Sequence, residues 1–540
     1  MKLNAQSVYT DKSWKEKGFF VPTFDREEMI KKTKENPKWV HFGAGNIFRA
    51  FQANLSQRML ENGDDEIGLT VVEGFDYEII EKMYRPHDNL SLLVTLKADG
   101  SVDKSVIASI AESCILDSAN EEEFKRLKEI FSKDSLQMAT FTITEKGYSL
   151  VNGKGETLPA VADDFANGPV SPKSYIGKVA ALLYERYCSG QKKIAMVSTD
   201  NCSHNGDKLF AAVDAFARKW TENGKAEAGF LAYIEDESKV SFPWSMIDKI
   251  TPRPDDSVNE ILKKDGVEEL EPVVTSMKTW VAPFVNAEES EYLVIEDKFP
   301  NGRPALQKVG VIFTDKETVD KVERMKVCTC LNPLHTALAV YGCILGYEKI
   351  SDEMKDGELS NLVKKIGYDE GLPVVTDPGV IKPSEFIDTV VNVRIPNVFM
   401  PDTPQRIATD TSQKLAIRFG ETIKAYEASS DLDVKSLKFI PLVQAGWLRY
   451  LMGVNDEGEK FEISPDPLLE KAQGFVNGIS LGDAGKADEH KAKLLPLLKD
   501  KTIFGVDLEE AGLSDLVLNY FEQLIAGKGA VRNTLKKYLA

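Results

Sequence analysis

The sequence predicts an α/β fold: an N-terminal domain with a mostly parallel sheet, followed by a mainly α-helical C-terminal domain. Three observations carry this. A short apolar strand, Trp39–Phe42, runs directly into Gly43-Ala44-Gly45 and then a helical pattern. Strand and helix patterns go on alternating to about residue 250, the rhythm of βαβ units. From about Ser290 the sequence is mostly helical, the exceptions being a strand-like stretch at Tyr292–Glu296, Gly302-Arg303-Pro304 and a loop at Val391–Met400. At 540 residues the chain is too long for one ordinary core. A boundary after residue 287 gives domains 1–287 and 288–540.

Strand, Gly-x-Gly and helix, in that order, form the phosphate-binding turn of a dinucleotide fold. Glycines let the backbone approach a pyrophosphate, and the helix N-terminus offers free N–H groups. Gly43, Gly45, Asn46, Ile47, Phe48 and Arg49 are therefore candidate cofactor residues. Phe48 stands where the usual fingerprint has its third glycine. The next strand, Ile67–Val72, ends at Glu73, with Asp76 shortly after. Acids at that point accept from the adenosine ribose hydroxyls and repel a 2′-phosphate, which favours NAD over NADP.

Leu90–Asp117 reads as short strands about a turn at Asp99-Gly100, an antiparallel insertion. Helices are expected at Glu121–Phe131, Tyr175–Tyr187 and Lys208–Trp220, and strands at Met138–Thr144 and Lys193–Ser198. Those two strands end in the polar clusters Thr142–Tyr148 and Ser198–Gly206. The carboxyl edge of an open α/β sheet is where ligands bind, which adds Thr144 and Glu145 to the cofactor candidates.

In the helical part, Lys326-Val327-Cys328-Thr329-Cys330-Leu331-Asn332-Pro333-Leu334-His335 brings an amine, a carboxamide and an imidazole close together in sequence. A lysine whose pKa is lowered by burial or a neighbouring cation serves as acid and base. The amide can donate to an oxygen gaining charge. The plain structural alternative is a helix entry with Asn332 as N-cap, Pro333 at the first helical position and His335 in the core. Arg406 and Lys414 are eight residues apart, close to two helical turns, which would project both from one helix face.

Composition sets the outer limits. A net charge of −18 argues against nucleic acid or an anionic membrane as partner, and leaves an anionic substrate in need of a local basic site. The start of the chain is polar, no apolar run approaches the ~20 residues of a membrane span, and a cytoplasmic location is expected. Six scattered cysteines without a CxxC pair read as reduced thiols. The five histidines lack metal-ligand spacing, so no metal is expected.

Together these clusters resemble the polyol-specific long-chain dehydrogenase/reductase (mannitol dehydrogenase) family. The motifs, in order, are HFGAGNIFRA, TITEKGY, STDNCSHNG, FPWSMIDKITP, VIEDKFPNGRP, ERMKVCTCLNPLHTAL and RIATDTSQK, spanning Trp39 to Lys414. The resemblance implies a Rossmann-type N-terminal domain, a helical C-terminal domain, an active site in the cleft between them, and metal-independent hydride transfer to or from NAD(P). By the same resemblance Lys326 is the general acid/base and Asn201 and Asn332 bind the reacting oxygen. His335 binds substrate, with Asp248, Arg406 and Lys414 around it. VIEDKFPNGRP is most similar to the mannonate branch, which implies the D-fructuronate/D-mannonate pair as substrate. The alternatives are a neutral polyol such as mannitol, another hexuronate, or a non-catalytic NAD-binding protein. The oligomeric state, monomer or dimer, is open.

One departure has a structural consequence. The family usually has four residues between the lysine and the asparagine; here there are five, Val327 to Leu331. On a regular helix the extra residue would turn the lysine by about 100°, so a π-bulge or kink is expected between Val327 and Leu331.

Overall fold

The computed structural model describes residues 1–539 and divides into two units. The first comprises Met1–Lys97 and Ser101–Asp320; the second runs from Lys321 onward, with Ala98–Gly100 grouped to it.

The first unit is organised by six strands: β1 (Trp39–Phe42), β2 (Leu69–Glu73), β3 (Ile110–Ile115), β4 (Met138–Phe141), β5 (Ile194–Ser198) and β6 (Val240–Ser241). They lie in the order β3-β2-β1-β4-β5-β6, and every neighbouring pair is parallel. This is the order of the dinucleotide-binding sheet. β1, β2, β4 and β5 are buried along their whole length, as strands covered on both faces must be. Alternate residues feed two cores. Val40, Phe42, Ala139 and Phe141 pack with the helices Glu121–Phe131, Tyr175–Cys188 and Asn205–Glu222. Trp39, Met138, Ala195 and Val197 join the opposite core with Phe48, Phe51 and Leu55.

Two expectations need correction. Ser91–Leu96 and Val102–Ile107 do pair antiparallel, but Ile110–Ile115 is not part of that insertion; it runs parallel to β2 as the edge strand of the main sheet. A six-residue apolar run fits either pairing, so the residues alone could not separate them. The division between units falls after Asp320, beyond the 287/288 boundary read from the sequence. Phe284–Glu288 pairs with Ser91–Leu96, while Tyr292–Glu296 and Ile312–Thr314 complete a small sheet with Ser245–Asp248. The sequence shows Tyr292–Glu296 as a strand-like stretch but not that it pairs with Ser245–Asp248 and so belongs to the first unit.

The second unit is helical, and Asn332–Leu345 and Phe439–Tyr450 are two of its longer helices. The Tyr341 hydroxyl joins them by donating to the Leu442 carbonyl at 2.6 Å. Contrary to the reading of the sequence, the run Lys316–Leu345 is long and apolar enough to cross a membrane, with 83% of its apolar window buried inside the protein.

Candidate active site

Gly43 follows β1 with φ +111°, and a Cβ there would stand 2.3 Å from the Thr142 carbonyl oxygen after β4. This is the point where the strand order reverses and the sheet opens for a ligand. Beside Gly45 an added Cβ would meet nothing within 4 Å. One glycine is thus required by the fold, and the other leaves open space where a phosphate can reach the backbone. The turn fits a dinucleotide. The missing third glycine has a local answer. Phe48 is buried, stacked on His41 at 4.4 Å, and Phe48–Gln52 winds as a π-helix before the α-helix Ala53–Glu61. The wider turn makes room for the ring where a regular helix would need glycine.

Arg49 turns away from the site. Its guanidinium is buried, donating to the Ala282 carbonyl at 2.7 Å and to Asn46 Oδ1 at 2.9 Å, so it braces the turn and draws the Asn46 side chain to itself. Glu73 is also committed. Oε2 accepts from the Ala44 N–H at 2.8 Å, and Oε1 from Phe75 and Asp76 N–H at 2.8 and 3.1 Å. Burial pushes its pKa up against these bonds. Asp76 Oδ2 accepts from the Thr275 hydroxyl at 2.6 Å.

Asp200, which sequence reasoning passed over, stitches the two strand-end clusters together. It accepts from the Ile143 and Thr144 N–H at 3.0 and 2.9 Å and from the Tyr148 hydroxyl. Thr144 is thereby held at φ +63°, a strained backbone for a β-branched residue. Asn205 then ties this loop to Ser245–Asp248, accepting from Ser245 N at 3.0 Å and donating to the Ser245 carbonyl at 2.9 Å. A cavity of about 380 Å³ results, and Ile47, Thr144, Glu145, Asn201 and Asp248 all line it. Five expected residues therefore meet in the first unit.

Lys326, Asn332, His335, Arg406 and Lys414 stand in the second unit. Met325–Cys330 is a π-helix, with the Leu331 N–H bonded five residues back to the Lys326 carbonyl at 3.1 Å. Leu331 leaves helical geometry at φ −129°, and the α-helix restarts at Asn332. The extra residue is absorbed as expected. Asn332 is the first helical residue and not the N-cap. Lys326 is only 3% exposed.

His335 is gathered with charges. Desolvation lowers its pKa to about 4; the Arg394, Arg418 and Arg406 guanidiniums add to this and Asp402 opposes it. Arg418 donates to the Thr336 hydroxyl at 2.5 Å, which donates in turn to the Asn332 carbonyl at 3.0 Å. Arg406 pairs with Asp402. Arg406 and Lys414 do not share one helix: Pro404–Ile407 and Thr411–Leu415 are separated by Asp410 in left-handed geometry. They still feel one another, since desolvation, Arg418 and Arg406 all lower the Lys414 pKa. Arg418 was detectable, four residues after Lys414 and so a neighbour on a helical turn; Arg394 had no such signal. VIEDKFPNGRP forms a strand end and a turn in which Arg303 pairs with Asp297 and stacks on Phe313 at 3.5 Å. Among the described residues, no group of three His, Cys, Asp or Glu side chains is placed to hold a metal.

Comparison with known proteins agrees with this geometry. Residues 37–308 match the mannitol dehydrogenase Rossmann domain, and 318–525 the mannitol dehydrogenase C-terminal domain. The chain is 52% identical to the D-mannonate oxidoreductase of Thermotoga maritima, over 99% of both chains. It is 29% identical to the polyol:NADP oxidoreductase of Gluconobacter oxydans, over 86% of this chain and 94% of the other. The solved ternary complex of Pseudomonas fluorescens mannitol 2-dehydrogenase with NAD and D-mannitol superposes with a TM-score of 0.67 at 27% identity, covering 100% and 99% of the two chains. Sheet order, phosphate turn and sequence converge: the chain belongs to the mannitol dehydrogenase family, as an NAD(P)-dependent alcohol dehydrogenase with a Rossmann-type first domain and a helical second one.

Proposed function

We propose that this protein interconverts D-fructuronate and D-mannonate with NAD as cofactor. The observation that carries the substrate class is the gathering of Arg394, Arg406 and Arg418 about His335, with Lys414 beside Arg406 and Arg418, in a chain of net charge −18. A sugar acid needs such a local positive field, and guanidinium binds carboxylate in a fork. The relative at 52% identity is a D-mannonate oxidoreductase, which supports the particular pair. Glu73 is taken up by backbone N–H groups, and Asp76, whose Oδ1 is left as an acceptor at the end of β2, favours NAD. Six free thiols accord with a reducing, cytoplasmic setting.

The nicotinamide cofactor, when bound at the Gly43–Phe48 turn, supplies or takes up hydride at the substrate carbon. In reduction, protonated Lys326 gives a proton to the carbonyl oxygen; in oxidation, the neutral amine takes it from the hydroxyl. Asn201 and Asn332 donate to that oxygen as charge grows on it, favouring the transition state over the ground state. His335, neutral at working pH, orients a neighbouring hydroxyl. Asp248 fixes another, and Arg406 and Lys414 hold the far end of the substrate.

The test is a panel of D-fructuronate, D-tagaturonate and fructose, each with NADH and NADPH. The proposal predicts that kcat/KM is highest for D-fructuronate with NADH. A preference for fructose would place the protein in the polyol branch, with the same acid/base group and a different occupant of the cation cluster.

A further inference from the structure

The turn after β2 carries a side chain that neither the core nor the proposed chemistry uses. Glu73 and Asp76 are 6% and 2% exposed, whereas Phe75 between them is 67% exposed. Its outward position is built in. Phe75 N–H is held by Glu73 Oε1 at 2.8 Å, and the same carboxylate grips Ala44 of the phosphate turn through Oε2. From behind, Gly74 sits so close to Tyr175 that a Cβ would fall 2.5 Å from the ring. The backbone carrying Phe75 is thus fixed to the glycine turn, and the ring is presented to solvent at the carboxyl edge of the sheet.

Two further features point to a ligand here. Asp76 Oδ1 is buried with no hydrogen-bond partner among the described residues, an acceptor left over on the same turn. A two-stranded hairpin, Val273–Val274 with Trp280–Val281, is pinned to the turn by the Thr275 hydroxyl on Asp76 and by Ser276 N–H on Glu78 Oε1 at 3.2 Å. Val274, Met277 and Trp280 on that hairpin are exposed. Apolar surface therefore collects beside the acid that, in this sheet topology, marks the adenosine half of a dinucleotide.

We propose that Phe75 is the platform on which the adenine ring of the cofactor stacks. The inference rests on the cofactor reading above and extends it to the base. A base stacked on an aromatic ring is held by it, so removing the ring should weaken cofactor binding by about tenfold.

The experiment measures equilibrium NADH binding by its fluorescence, on the full chain and on Phe75→Ala and Phe75→Tyr, together with melting temperature with and without NADH. Expected are an about tenfold rise in Kd for Phe75→Ala, near wild-type binding for Phe75→Tyr, and equal melting of all three proteins without cofactor. In Phe75→Ala the upward shift that NADH gives to melting should shrink. Unchanged binding by Phe75→Ala would overturn the proposal and leave the cofactor reading standing. Lower melting of cofactor-free Phe75→Ala, or a changed oligomeric state, would overturn it by making the ring part of the fold or of a subunit contact. Failure of the wild type to bind NADH or NADPH would overturn both readings.

Discussion

Lys326 and Glu353 show two ways in which a buried ionisable group can be placed. Lys326 follows the sequence motif and is enclosed on a π-helical turn. Glu353 is fully buried beside Gly342, and neither carboxylate oxygen has a hydrogen-bond partner among the described residues. Burial pushes its pKa well up, with Asp356 adding to the effect. The folded protein therefore keeps a proton that the unfolded chain releases, so stability falls as pH rises above the usual carboxylate range. A Glu353→Gln variant should melt above wild type at pH 8, by a margin that shrinks toward pH 5. A margin independent of pH would mean that the carboxyl is ionised or solvated in the folded state. Legibility differs from residue to residue. Lys326, Asn332 and His335 were readable because they lie together in sequence. Arg394 and Asp200 were not, because their partners lie far along the chain.

Among the elements, the glycine turn and the π-helical run shape the two halves of the candidate site. The turn was legible because strand, glycine pair and helix are contiguous. The functions of its two glycines were not, since only the fold brings Thr142 against Gly43. Gly43→Ala should lose about 2–4 kcal/mol of stability, from a backbone clash and an unfavourable positive φ, and bind NADH poorly. Gly45→Ala should unfold like wild type in urea yet bind NADH at least tenfold more weakly, because its methyl group occupies space needed only by the phosphate. Equal unfolding losses in the two variants would refute that division of labour. The π-helix Met325–Cys330 shows how one inserted residue can be absorbed within a helix. The eight-residue spacing of Arg406 and Lys414 shows the reverse: the two cations come together, though through a broken helix and not through helical periodicity.

For the molecule as a whole, the α/β-then-helical order was legible because long periodic segments dominate it. The exact division was not, because Phe284–Glu288 straddles residue 287 and two further short strands continue the first unit beyond it. Each unit also holds a histidine that desolvation keeps neutral, the fully buried His41 with its pKa near 3 and the partly buried His335 near 4. The unfolded chain binds protons on these groups from about pH 6.5 downward. Their contribution to stability is therefore complete above that value and is lost as pH falls through the window to about 4. Urea unfolding midpoints of wild type should fall more steeply between pH 6.5 and 5 than those of His41→Asn. Parallel curves would mean that His41 is not held neutral. The measurement that bears most directly on the central claim is the rate of NADH oxidation with D-fructuronate, in wild type beside Lys326→Ala. Wild type should turn over rapidly and Lys326→Ala about 10²–10⁴-fold more slowly, with NADH binding retained. Undiminished turnover in Lys326→Ala would show that another group moves the proton. No turnover by the wild type would remove D-fructuronate as the substrate.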